Sequence, residues 1–248
     1  MENQNSVELI GYMGSDKSHC LAAWASTYAE FNVEMPDNIE DRVDVIVNHI
    51  LNNGKRKRSI EELLEFLAQN NHTSPFRFSA FTFAATTDIA THIQKLKHRV
   101  IFEAENGESA RYKDLKEDKF YLPKDWEGIM CTKEITGFPN VTDHDWMELL
   151  RYYTDLGNTL YRAALKDLVP ILGKKRAKET ARYFKTYNSQ INTLNRLSFD
   201  GIVQFYHKRH DKTYVQDEIA DLAIEMINCI KNIPNNPFKY SLKAFNLC

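Results

Sequence analysis

The chain has 248 residues, 43% hydrophobic and 27% charged, with 32 Lys+Arg against 34 Asp+Glu and a formal net charge of -2. That composition excludes a disordered or membrane-embedded class and leaves enough apolar material for one core-forming domain over residues 1–248. The balanced charge excludes a bulk positive field for a nucleic-acid polymer, so any phosphate must be held by local side chains.

Val7-Glu8-Leu9-Ile10 reads as a strand, and Ser15 or Asp16 then caps a helix with Ala22, Ala23 and Tyr28 as its small apolar face. Pro36 opens a helix through Val43, Ile46 and Ile50. The basic run Lys55 to Arg58 interrupts the pattern as a solvated turn, and Ser59 with Glu62 forms a capping box ahead of Ile60, Leu63, Leu64 and Leu67. After the turn His72-Thr73-Ser74-Pro75, the series Phe76, Phe78, Ala80, Phe81 and Phe83 predicts an aromatic strand with a change of phase. Asp88 caps a helix with the stripe Ile89, Ile93 and Leu96, ending at the basic cluster Lys97-His98-Arg99. Val100 to Lys119 lacks a sustained period and is predicted as a long loop, closed by Phe120-Tyr121-Leu122-Pro123. A helical segment at about 142–187 follows. In it Thr142 caps a long helix through Leu149, Leu150, Tyr153, Leu156 and Leu160, and a second helix covers about Lys175 to Tyr187. Two polar segments, Asn188 to Asp200 and Gly201 to Arg209, precede a C-terminal helix carrying Val215, Ile219, Leu222, Met226 and Ile230. The class is α+β, with helices dominant.

Several chemistries are not legible. No glycine-rich phosphate loop, nucleophile elbow or H-E-x-x-H pair occurs, and Cys20, Cys131, Cys229 and Cys248 form no C-x-x-C pair. His207 and His210 lack a further ligand at metal spacing and read as surface residues, so no metal is expected. Without a secretory or membrane-spanning pattern, and with thiols unpaired, a cytoplasmic setting is the expectation. What stands out is Lys97-His98-Arg99, then a loop, then Glu108-Ser109-Ala110-Arg111-Tyr112. Guanidinium forks, a hydroxyl and loop amides suit phosphates and carboxylates. A basic helix end before a charged loop is also commonplace.

The segment resembles the signature of the flavin-dependent thymidylate synthases: Arg-His-Arg, a seven-residue spacer, Ser, then a second Arg and a Tyr. Here Lys97 takes the first arginine's place and the spacer is longer by two residues. Further landmarks follow in order. Val7-Glu8-Leu9 with Met13-Gly14-Ser15-Asp16 resembles the opening strand and turn, and His72-Thr73-Ser74-Pro75-Phe76 resembles the family's His-x-Thr-Pro-Phe turn before a strand ending Phe-Thr-Phe. Gln94 falls where the family keeps a glutamine, and Ala181-Arg182 with Ser198 to Arg209 resembles the stretches carrying its two later arginines.

The resemblance implies a central, mostly antiparallel sheet surrounded by helices, assembled as a homotetramer with active sites between subunits. It implies a methyltransferase that binds FAD and converts dUMP to dTMP, using NADPH and methylenetetrahydrofolate as co-substrates. Carried over residue by residue, Gln94, Lys97, Glu108, Ser109, Ala110, Arg111, Arg182 and Arg209 would hold dUMP. His72, Ser74, Lys97, His98, Arg99, Ser198, Asp200 and Gln204 would border the flavin. Arg209 is the catalytic candidate. A guanidinium is no base at neutral pH, but against N3 and O4 of uracil it would stabilise an anion and raise electron density at C5.

Five positions depart from the family pattern. Lys97 replaces an arginine, Gly107 replaces an acid two residues before the motif serine, with Glu108 adjacent, Asp200 stands where the family has an arginine, and Ser198 and Gln204 replace asparagines. Asp200 predicts a local change of sign in the flavin pocket, with repulsion of FAD phosphates. The alternatives are a relative that modifies C5 of another pyrimidine nucleotide, such as dCMP or through a hydroxymethyl product, and a nucleotide-binding homologue without flavin.

Overall fold

Local signals place most element boundaries in the computed structural model, which describes residues 2–25, 33–52, 58–109, 118–136 and 140–248. Strand β1 (Ser6–Met13) leads into α1 (Asp16–Ala25), where Ser15 Oγ accepts from Ser18 N at 3.3 Å. The buried stripe of α1 is Asp16, His19, Cys20 and Trp24 rather than Ala22 and Ala23; Tyr28 and Lys55 to Lys57 lie outside the described residues. Helix α2 (Arg42–Asn52) begins later than Pro36, after a 3-10 helix at Ile39–Asp41. Helix α3 (Ile60–Gln69) has the expected capping box, with Ser59 Oγ accepting from Glu62 N and Glu62 Oε2 accepting from Ser59 N at 2.8 Å.

The phase change among the phenylalanines is a change of element. Phe76 is buried on a 3-10 helix, Ser74–Arg77, Phe78 is exposed, and strand β2 (Ala80–Asp88) starts only afterwards. Asp88 caps α4 (Ile89–Leu96) by accepting from Thr91 N at 2.9 Å, yet this helix buries Thr91 and Lys95 and leaves Ile93 and Leu96 exposed, the reverse of the expected stripe. A short strand, β3 (Ala104–Gly107), occupies part of the predicted loop. Helix α5 (Trp146–Ala181) is capped by Asp145, not Thr142, and is broken at Gly173, whose φ of 76° is left-handed. The part after Gly173 ends in a 3-10 helix, Arg182–Phe184, short of Tyr187. Strand β4 (Gln190–Leu197), α6 (Phe199–Arg209), α7 (Asp217–Lys231) and α8 (Lys239–Ala244) complete the chain.

The sheet order is β1-β2-β4-β3. Its pairing is antiparallel: Glu103 N donates to Arg196 O and Glu108 N to Asn192 O, both at 2.9 Å, so the partner number falls as the strand number rises. The α+β class and antiparallel sheet therefore match the expectation. Central strand β4 comes from a segment that reads as merely polar. Gln190, Thr193 and Asn195 are buried there, and burial of such groups requires partners. Gln190 exchanges hydrogen bonds with the side chains of Asn3 and Asn5 at 3.0 Å, and Lys95 Nζ donates to Thr193 Oγ1 at 3.1 Å.

By contacts the chain divides into two compact units. The first comprises Met1–Ser6, Ala85–Lys97 and Asn106–Thr193, and the second comprises Val7–Ala84, His98–Glu105 and Leu194–Cys248. In the first, Lys185 is buried beneath α5, donating to Asp118 Oδ1 at 2.7 Å and Asn158 Oδ1 at 2.6 Å. Gly157 makes this approach possible, because a Cβ there would stand 2.5 Å from Phe184 O. Trp146, Tyr153, Leu156 and Leu160 form an exposed apolar row on α5.

The second unit has an aromatic core. Phe81 and Phe238 lie 4.8 Å apart between ring centroids, Phe76 and Phe245 also 4.8 Å, and the buried ring of His19 sits among Phe76, Phe199 and Phe238. Both His19 nitrogens are satisfied at 2.9 Å, Nδ1 by Ser241 Oγ and Nε2 by Ser79 Oγ. Ser241 spends its proton on Asp16 Oδ1 at 2.5 Å, so His19 carries its hydrogen on Nδ1 and accepts from Ser79. Burial drops the His19 pKa to about 3 and fixes the neutral ring.

Candidate active site

Four-residue spacing puts Gly201, Phe205 and Arg209 on one face of α6. That face lies along the turn that follows α4, where Ile101 N and Phe102 N both donate to His98 O, at 2.8 and 3.2 Å. Each of the three residues meets the turn differently. A Cβ on Gly201 would lie 2.9 Å from Ile101 O, so only glycine admits this approach without displacement. The Phe205 ring stands edge-on to His98 and Phe102, with centroids 5.3 and 5.2 Å away. Arg209 Nε donates to His98 Nε2 at 2.8 Å. Accepting this bond requires a neutral imidazole with its proton on Nδ1. Half-burial, then the charges of Arg209 and Lys208, hold the His98 pKa below its ordinary value, which keeps the acceptor intact.

At the other end of α6, Ser198 is the N-cap, its Oγ accepting from Gly201 N at 3.3 Å, and Gln204 is half-buried further along. Asp200, in the first turn, has only 2% of its side chain exposed and accepts from Arg77 Nε at 2.8 Å. Arg77 belongs to the 3-10 helix that packs against α6, and its own side chain is 56% exposed. The expected change of sign at Asp200 is thus offset by an ion pair that points its positive partner outward. His72 and Ser74 lie exposed on that same turn, and Arg99 is exposed beside His98.

The remaining candidates belong to the first unit. Gln94 is half-buried and Lys97 exposed at the end of α4, where Lys97 N donates to Gln94 O at 3.1 Å. Glu108 uses its amide for Asn192 O, and its Oε2 accepts from Asn192 N at 3.1 Å, so it finishes the β3–β4 ladder; Ser109 follows, half-buried. Gly107 fits the same place, because a Cβ there would stand 3.0 Å from Thr193 Cγ2. Arg182 is exposed at the C-terminus of α5. Ala110 and Arg111 lie outside the described residues.

Sequence reading found Arg209 and His98 but not their bond, and missed Arg77, Gly201 and Phe205. The signal for Phe205 was its spacing of four from both Gly201 and Arg209; Arg77 gave none, since its partner is 123 positions away. The donor set of the second unit suits a phosphorylated flavin: a half-exposed guanidinium, an exposed Arg99, a hydroxyl at Ser74, and a carboxylate already neutralised. Among the described residues no three His, Cys, Asp or Glu side chains gather to hold a metal, and no helix is long and apolar enough to cross a membrane.

The chain resembles known proteins along most of its length. The family model of the thymidylate synthase complementing proteins matches residues 8–235. A flavin-dependent thymidylate synthase of Clostridium tetani is 26% identical over 188 residues, covering 75% of this chain and 72% of the relative. Another, from Thermotoga neapolitana, is 32% identical over 117 residues, covering 47% and 42%. Among solved structures, the UMP/dUMP methylase PolB of Streptomyces cacaoi, bound with 5-Br dUMP, aligns at a TM-score of 0.68 and 20% identity, covering 99% of this chain and 96% of that one, which is a likeness of fold. With the family model spanning nearly every element from β1 to α7, the chain belongs to the thymidylate synthase complementing proteins, the flavin-dependent thymidylate synthase family, as a divergent member.

Proposed function

We propose that this protein is an FAD-dependent thymidylate synthase, converting dUMP to dTMP with methylenetetrahydrofolate as carbon donor and NADPH as reductant. Family membership supports the reaction class, and the observation that carries it to particular residues is the bond from Arg209 to neutral His98. With Nε held, the terminal nitrogens of Arg209 make no hydrogen bond among the described residues and can face a uracil edge, stabilising negative charge on N3 and O4. Bound flavin would supply the redox chemistry. His72, Ser74, His98, Arg99, Ser198 and Gln204 would border it, and Lys97 would serve flavin or nucleotide. Gln94, Ser109, Arg111 and Arg182 would hold dUMP, with Glu108 bracing the strand end beside Ser109. A homotetramer is part of the proposal and is supported by the exposed apolar row on α5.

The test is the flavin absorption spectrum of the purified protein, then incubation with dUMP, UMP or dCMP plus methylenetetrahydrofolate and NADPH, with products weighed by mass spectrometry. A gain of one methyl group on dUMP is expected. UMP is the second nucleotide of choice because the Streptomyces cacaoi fold relative is a UMP/dUMP methylase. A colourless protein that leaves every nucleotide unchanged would refute the proposal.

A further inference from the structure

We infer that Arg77 is an anion-binding residue that holds a phosphate of the flavin dinucleotide with the two terminal nitrogens left over from its pairing with Asp200. This rests on the flavin reading above and adds to it a residue outside the family motif. A carboxylate as buried as that of Asp200 is costly without a partner, so the pair is anchored from below. Only the Nε of Arg77 is engaged, and among the described residues Nη1 and Nη2 make no hydrogen bond. The guanidinium is therefore fixed in direction with its planar fork directed outward, the geometry that recognises phosphate bidentately. Its surroundings fit the rest of such a ligand. His72 and Ser74 are exposed donors on the same turn, and the next residue, Phe78, is 64% exposed and offers an apolar face to a ring. The pair as a whole is neutral, but its negative half is inside and its positive half outside, so an approaching diphosphate meets the guanidinium. The arginine lost at position 200 is in this way replaced from position 77.

The full-length protein, its Arg77→Gln/Asp200→Asn double variant, and Asp200→Asn alone are titrated with FAD by flavin fluorescence, and their melting temperatures are measured without ligand. The double variant removes both charges and leaves no buried ion unpaired. Its Kd for FAD should rise about tenfold or more, the loss of a charge-assisted hydrogen bond, while the melting temperature stays within about 4 °C. Asp200→Asn keeps the guanidinium and should bind FAD as tightly as the parent or more tightly. Arg77→Lys, which keeps the charge without the fork, should fall between. Equal FAD affinity in parent and double variant overturns the inference while the flavin reading stands, and so does weakening that comes only with a lowered melting temperature. A parent protein that binds no FAD overturns both.

Discussion

Arg209 and His98, 111 positions apart in sequence, share a 2.8 Å hydrogen bond in which the guanidinium Nε is donor and the imidazole Nε2 is acceptor. The bond makes His98 a determinant of where the arginine points. It also ties the direction of that arginine to the protonation state of the ring.

Replacing Arg209 by alanine should lower kcat by about 10²–10³-fold, the range for loss of one charge-stabilising donor, with the fold retained. His98→Ala should lower it less, by about tenfold, and His98→Gln should restore most of the loss because an amide oxygen accepts the same bond. Steady-state kinetics on the three variants tests this order, and a wild-type rate in Arg209→Ala would sink the role assigned to it.

The pH profile gives a second handle on the same pair. The His98 pKa lies below the ordinary 6.5, so the ring is neutral at pH 7 and the acceptor is lost only as pH falls through that lowered value. An acid limb in kcat/KM beginning below pH 6.5 is expected in the parent. The non-titrating acceptor of His98→Gln should abolish the limb, and an unchanged limb would assign it to another group.

Gly201→Ala tests how α6 meets the His98 turn. Its Cβ would press on a backbone carbonyl at 2.9 Å, so the turn must move away from the helix. A stability loss of about 1–3 kcal/mol is expected from such overpacking. If the contact also sets the His98–Arg209 distance, turnover falls at temperatures where the variant is fully folded. Denaturant melts paired with kinetics separate the two effects.

His19 should make the second unit sensitive to acid. Its folded pKa of about 3 lies below the ordinary histidine value of 6.5, so the unfolded chain binds the extra proton and stability falls as pH drops from 6.5 toward 3. The slope from this residue is about 1.4 kcal/mol per pH unit at most. Neighbouring Asp16, whose pKa burial raises, works in the opposite direction as the carboxyl gains its proton. Urea melts across that window should show a shallower dependence in His19→Gln than in the parent, and identical slopes would contradict the assignment.

Lys185 supplies a prediction for the first unit. It is buried against Asp118 and Asn158, with its ammonium 4.7 Å from the Tyr161 ring centroid. Asp118→Asn leaves the amine without a carboxylate and should cost roughly 2–4 kcal/mol, somewhat less than a fully sealed pair because Asp118 is partly solvated. Lys185→Met together with Asp118→Asn should recover part of that loss. Chemical denaturation of the single and double variants measures it.

The amino-acid sequence alone determined the features whose physics is local. The Ser59–Glu62 box, the Asp88 cap and the Ile219, Leu222, Met226 and Ile230 stripe of α7 each span less than a few turns, so residue type and spacing specify them. Tertiary structure decided what polar residues mean once buried. Strand β4 reads only as a polar segment until Asn3, Asn5 and Lys95 are seen to satisfy Gln190 and Thr193, and Asp200 reads as a repulsive charge until Arg77 is found beside it. The apolar face of α4 likewise looked like core, yet Lys95 is buried there instead, donating to Thr193 of β4. In each case the deciding partner lies far away in the chain, and the free energy of a buried polar group depends on that partner rather than on its neighbours in sequence.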